Sequence, residues 1–180
     1  MMNTKENLQQ FEDIVNVYLK DLEGYNMDQL LLKPAEDQWS LGQMYIHLIQ
    51  SAQYMTLRNI ELCRVMDITP EIAPAKSEMG NAVMSKGGFP PISIQVPPSK
   101  EYTPLQPESK EQIAQGLQLV VQKMREVESM LDTIPAHHTS PHPRLGGLTA
   151  VEWFYLTEMH YRHHLLQKKR LEDFYAVKVG

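Results

Sequence analysis

A single cysteine, Cys63, stands in a chain of 180 residues. That excludes an intramolecular disulfide framework and any all-thiolate zinc site, and it suits a reducing compartment. No apolar run approaches the ~18 residues needed to span a bilayer, so no membrane partner is expected. The opening Met1-Met-Asn-Thr-Lys-Glu6 lacks a basic stretch followed by an apolar core, from which a cytoplasmic setting is expected. Basic charge is also scarce, with 17 Lys and Arg against 22 Asp and Glu and a formal net charge of −5. No Lys/Arg cluster with interleaved aromatics offsets this, which argues against nucleic acid as a partner. Aromatics are only 8% of the chain although 42% is hydrophobic, a balance that points to one helical domain over residues 1–180.

What the chain does have is apolar residues at helical spacing in four blocks. Leu8, Phe11, Val15, Tyr18, Leu22 and Tyr25 step by three and four and predict a first helix. From Asp28 to Trp39 the pattern breaks around Pro34, and Ser40-Leu-Gly-Gln43 then has the form of a capping box, so a second helix is expected from there. Its body, Met44 through Met66, would bury Leu48, Met55, Leu62 and Met66, with Cys63 a core residue. Ser109-Lys-Glu-Gln112 is a second such box, followed by Ile113, Leu117, Val120, Met124, Val127 and Leu131. Pro135, Pro141, Pro143 and Gly146-Gly147 predict a break, after which Thr149-Ala-Val-Glu152 opens a fourth helix.

Eight of the twelve prolines fall between Asp67 and Pro107. Such a stretch is expected not to propagate a helix and is far longer than the usual connection between bundle helices. It predicts a functional or crossing loop in a four-helix bundle, so that the third helix need not be the simple antiparallel neighbour of the second. Its Phe89-Pro-Pro-Ile-Ser-Ile-Gln-Val-Pro-Pro98 piece could cover a cavity mouth.

The fourth helix carries the chemistry. With His160 at zero and about 100° per residue, Trp153, Leu156, Thr157, His164, Gln167 and Leu171 all fall within roughly 60° of it, while His163 lies at about −60° and Glu158 turns outward. His160 and His164, as i,i+4 neighbours, project to one side and can close on one cation. In the second helix the same construction aligns Gln43, Ser51 and Tyr54 with His47, a polar line that is costly to bury unless it bonds to something or lines a cavity. His47 is thus available as a third imidazole, although a lone helical histidine is more often a satisfied core or surface residue. His137, His138 and His142, in the Pro-rich loop, are expected to be exposed.

Three neutral imidazoles suit a divalent cation such as Zn²⁺ or Ni²⁺ and leave a position open. Such an ion brings the pKa of a bound water toward ~7 or holds a substrate thiol as thiolate.

The segment Lys33-Pro-Ala-Glu-Asp-Gln-Trp-Ser-Leu-Gly-Gln-Met-Tyr-Ile-His47-Leu resembles the Trp-Ser and His-Leu signature of the DinB and YfiT-like superfamily. The block His142-Pro-Arg-Leu-Gly-Gly-Leu-Thr-Ala-Val-Glu-Trp153, followed by His160-Tyr-Arg-His163-His164-Leu-Leu-Gln167, is similar to that family's closing His-x-x-His-His-x-x-Gln helix. The resemblance implies an all-α, up-down-down-up four-helix bundle and a metal held by His47, His160 and His164. His163 and Gln167 match the pattern without being ligands in it. Family members use the metal to activate a low-molecular-weight thiol, as in mycothiol-dependent maleylpyruvate isomerase and bacillithiol transferases, and others are described as metal-dependent hydrolases. The long Pro-rich stretch and the His142-Pro approach to the fourth helix depart from the thiol-transferase subgroup, so the fold and site carry over better than any reaction.

Two functions follow as expectations. The first is a metal-dependent hydrolase or thiol-dependent S-transferase acting on a small molecule, with Tyr54, Glu152 and, most weakly, Glu158 as candidates for a base or a substrate-orienting group. His163, Gln167 and His142 are expected near the ligands without binding the metal. The second is a non-catalytic stress-related or small-ligand-binding bundle. A homodimer is expected for either.

Overall fold

A computed structural model describes residues 3–91 and 102–179. These are mostly helical, with one small two-stranded sheet. Helix α1 (Thr4–Glu23) begins where the Asn3 side chain accepts a 2.9 Å hydrogen bond from the Lys5 amide. Phe11, Val15, Tyr18 and Leu22 form its buried stripe, as their spacing predicts, whereas Tyr25 lies past its end and is only partly buried. The break expected from Asp28 is shortened by α2 (Met27–Leu31), a five-residue helix opened by an Asn26–Gln29 capping box.

One continuous helical rod follows Ser40: α3 (Leu41–Gln50), a π-helical segment over Ser51–Leu57, and α4 (Arg58–Val65). Ser40 and Gln43 exchange both bonds of the capping box. The π segment breaks the 100° phase on which the sequence pattern rests, because each of its turns holds more residues than an α turn. The buried positions beyond Leu48 are therefore Ala52, Ile60 and Cys63, together with Thr56. Met55, Leu62 and Met66, expected on the buried side, are only partly buried.

The Pro-rich stretch corrects a second expectation. It contains α5 (Glu78–Lys86), capped by Ser77 and closed by Gly87 at φ 64°. No proline lies between Pro74 and Pro90, so the helix forms in the one window where every residue has an amide to donate. The Phe89–Pro98 piece falls largely outside the described residues.

Helix α6 (Lys110–Glu128) buries Ile113, Leu117, Val120 and Met124 in the predicted order. Its capping box is only half made. Ser109 accepts from the Gln112 amide at 3.1 Å, but the Gln112 side chain accepts from Glu108 at 2.8 Å and not from Ser109.

The break expected around Pro141 and Gly146 is instead a hairpin of β1 (Thr139–His142) and β2 (Gly146–Thr149). The Gly147 amide donates to the Ala75 carbonyl at 2.8 Å, and the Ser77 amide to the Leu145 carbonyl at 2.9 Å. This approach requires the glycines: a Cβ on Gly147 would stand 1.9 Å from the Pro74 carbonyl oxygen, and Gly146 has φ +74°. Thr149 and Glu152 then form the predicted capping box at the start of α7 (Ala150–Val179).

Helix α1 packs on α6 and α7, α3 on α2, α6 and α7, and α4 on α7 and β1. Three buried tyrosines join these helices through backbone carbonyls: Tyr45 donates to Tyr18 O at 2.9 Å, Tyr18 to Tyr161 O at 2.8 Å, and Tyr161 to Leu48 O at 3.0 Å. Their rings, with Phe11, meet edge to face. Among the described residues no helix is long and apolar enough to cross a membrane.

Candidate metal centre

His47 lies on α3, one turn before the π segment, and His160 and His164 project from adjacent turns of α7. The Nε2 atom of His160 stands 3.1 Å from Nε2 of His47 and 3.0 Å from Nε2 of His164. Each of the three residues thus offers a nitrogen to a common point, and together they could hold a metal ion.

The opposite ring nitrogens explain why these atoms are available. Ser51 Oγ donates its one proton to Leu48 O at 3.1 Å, so at 3.2 Å from Nδ1 of His160 it serves as the acceptor of that ring's N–H. Gln167 Oε1, 2.7 Å from Nδ1 of His164, accepts in the same way. Both Nε2 atoms then carry lone pairs, 3.0 Å apart and pointed at each other. Two lone pairs at that separation repel unless a cation lies between them, and a partner that fixes the far nitrogen is the arrangement metal-bound histidines use.

Protonation cannot supply the positive charge near neutral pH. Burial, followed by repulsion from His164, pushes His47 down to about 3. His164 falls to about 4, burial outweighing the hydrogen bond to Gln167 that favours its charged form. Burial, then the neighbouring imidazoles, holds His160 well below the usual histidine range. The residues fit a divalent cation in spacing as well. Two nitrogens ~2.1 Å from one ion are separated by ~3.0–3.4 Å for the usual bond angles, and the observed distances are 3.0 and 3.1 Å.

The other sequence candidates are distributed differently. Gln167 touches His164 directly. His163 packs its ring against Phe89 and His164, at 5.6 and 5.9 Å between centroids. His142 is neither exposed nor near enough to offer a ligand atom. Its Nδ1 accepts from the Arg144 and Leu145 amides at 3.1 Å and closes the hairpin turn, with its ring on Trp153. His138 is also drawn in, Nδ1 lying 2.8 Å from the Cys63 carbonyl, while His137 is exposed.

Glu152 is spent on the cap of α7 and on an ion pair with Lys76, about two turns before His160. Glu158 faces away from the histidines, but it does not reach solvent. Its side chain is 3% exposed and grips Arg162, which also donates to Gly87 O at the end of α5. The packing of that loop on α7, invisible to a helical wheel, turns the expected outward face inward.

Ser51, expected on the polar line with His47, bonds Nδ1 of His160, whereas Trp39 is a contribution to which the sequence pattern gave no role. Trp39 lays its ring against His47, with centroids 4.9 Å apart. A cleft of about 400 Å³ opens beside this pair, and Tyr54, expected as a possible orienting group, stands at its rim. Gln43, although aligned with His47 on the helical wheel, is buried and donates to the Pro104 carbonyl at 2.7 Å.

The fold and the cluster define a mostly helical protein with a three-histidine site able to hold a metal ion. The family model of the DinB superfamily matches residues 10–167, and the chain belongs to that superfamily. No curated protein and no solved structure gives a significant match to the chain.

Proposed function

We propose that the protein is a metal-dependent enzyme acting on a small molecule, with His47, His160 and His164 as ligands of Zn²⁺ or Ni²⁺. The observation that carries this reading is the set of Nε2 atoms 3.0 and 3.1 Å apart, with Ser51 and Gln167 occupying the far nitrogens of His160 and His164. The cation supplies Lewis acidity, which lowers the pKa of a water or a low-molecular-weight thiol for hydrolysis or thiol transfer. Ser51 and Gln167 hold two imidazoles in the neutral tautomer that binds a cation, and Trp39 packs against the third. The cleft beside His47 admits substrate from one side, while the tyrosine-linked core closes the other.

The same proposal reads α1, the α3–α4 rod, α6 and α7 as the up-down-down-up bundle, supported by the pairing of α1 with α6 and α7 and of α3 with α6 and α7. A cytoplasmic setting and a homodimer belong to the proposal too, supported by the lone reduced cysteine and by exposed apolar side chains such as Leu119 and Leu166.

Elemental analysis of tag-free protein and of a His164→Ala variant tests the site. Near-stoichiometric metal, lost in the variant, is the expected result. No metal in either protein would leave the non-catalytic binding bundle as the better reading. Profiling against ester, amide and electrophile-plus-thiol panels, with and without added Zn²⁺ or Ni²⁺, then separates hydrolase from transferase.

A further inference from the structure

We infer that the molecule acted on at this centre has an uncharged aromatic body of one or two rings and a single anionic or metal-ligating head. The inference rests on the metal reading above and gives it a substrate class. It comes from the walls of the cleft. Trp39 lines the cleft with its ring already packed against His47, so a ring sliding in beside His47 meets an aromatic side chain next to the ligand. Tyr54 and Tyr102 flank the cleft with 69% and 66% of their surface in solvent, and Met55 is a further lining residue. Single exposed aromatics are ordinary on a protein surface; three aromatic side chains and a thioether around one cleft make a stacking surface.

Charge points the same way. Of the chain, 22% is Asp, Glu, Lys or Arg, yet the described lining contains none of them. Its polar groups beyond His47 are neutral: the Gln50 amide, the Ser51 hydroxyl, the Trp39 indole N–H and the phenols of Tyr54 and Tyr102. Ser51 is committed to Leu48 and His160, which leaves neutral groups, the exposed Gln50 amide and the tyrosine hydroxyls at the rim, as the further polar contacts of the described lining. A divalent ion on three neutral imidazoles attracts one anionic donor atom. A second or third charge on the ligand body would find no opposite charge among the described lining residues, and desolvating an unpaired charge is unfavourable. The volume of about 400 Å³ accommodates one or two rings.

Three hydroxamates share a metal-binding head and differ only in body: benzohydroxamate (aromatic), acetohydroxamate (minimal) and succinohydroxamate (anionic). Their affinities for Zn²⁺- or Ni²⁺-loaded protein are read by quenching of Trp39 fluorescence, with the buried Trp153 as constant background and a Trp39→Phe variant to assign the signal. Benzohydroxamate is expected to bind about tenfold more tightly than either other probe. Tyr54→Ala, at a solvent-exposed position that does not endanger folding, is expected to cut that advantage at least threefold and leave acetohydroxamate unchanged. Affinities equal within twofold, a preference for the anionic body, or an aromatic advantage untouched by Tyr54→Ala would overturn the inference. If no metal is retained and no hydroxamate binds, the metal reading has failed, and EDTA-treated protein with 2-naphthol decides the substrate class alone. Quenching of Trp39 by 2-naphthol then upholds an aromatic cleft, and no quenching refutes it.

Discussion

The Tyr161 hydroxyl donates a 3.0 Å hydrogen bond to the Leu48 carbonyl, joining the residue after His160 to the residue after His47. Tyr161 is fully buried, and burial raises its phenol far above the ordinary range, so it remains a donor at any pH the fold survives. This bond ties together the two helices that supply the imidazoles, one residue past a histidine on each. Tyr161→Phe is expected to cost about 1 kcal/mol in stability and to weaken metal binding. Urea denaturation and a competitive metal titration measure the two effects, and an unchanged metal affinity would show that other packing sets the spacing.

Gln167 accounts for the orientation of His164. Gln167→Leu removes the acceptor for Nδ1–H and is expected to lower metal affinity about 10- to 100-fold, whereas Gln167→Glu keeps an acceptor and should retain most of it. Competition against a chromophoric chelator gives the affinities. Equal losses in both variants would contradict an acceptor role.

Metal-free protein should be acid-sensitive well above the range of its carboxylates. The three histidines have folded pKa values pushed below 6.5, to about 3 for His47 and about 4 for His164. Between those values and 6.5 the unfolded chain binds more protons than the folded one, so stability falls as pH drops and is greatest above 6.5. A loss of roughly 5–8 kcal/mol for the cluster is expected between pH 7 and pH 4.5. Urea midpoints of EDTA-treated protein across that range test this, and a His47→Gln, His164→Gln double variant should flatten the profile.

Glu152 provides the opposite control. Its carboxylate accepts from the Thr149 amide at 3.0 Å at the head of α7, so Glu152→Ala is expected to cost about 1 kcal/mol of stability and to leave metal content and turnover unchanged. A loss of turnover in a stable Glu152→Ala protein would return this residue to the chemistry.

Local signals in the sequence carried a large part of the fold. Capping residues at Ser40, Ser109 and Thr149 mark where three long helices begin, because the N-terminal amides of a helix need acceptors wherever it sits. The meeting of His47 with His160 and His164 was foreshadowed by helical phase on α7 and by the resemblance that linked the two segments. What escaped the sequence depends on distant contacts. Proline content hid α5, since density of prolines over 41 residues said nothing about the free window after Pro74. The hairpin hid behind Pro141 and Pro143 because its glycines are explained only by the backbone of residues 74–77 lying against them. Glu158 was assigned to solvent because no periodicity reveals that Arg162 and the end of α5 cover it.

The π-helical segment makes the α3–α4 rod two gears on one axle. Residues before Ser51 are timed to α7 and the histidines, and residues after Leu57 to α7 and the hairpin together. Excising a single residue between 51 and 57 would remove the extra residue of the wide turn and restore an ordinary helix, with Ile60 and Cys63 still facing the interior and His47 in place. Tyr54 occupies that slack in the winding. The rim of the cleft can therefore be recut without retiming either half of the rod.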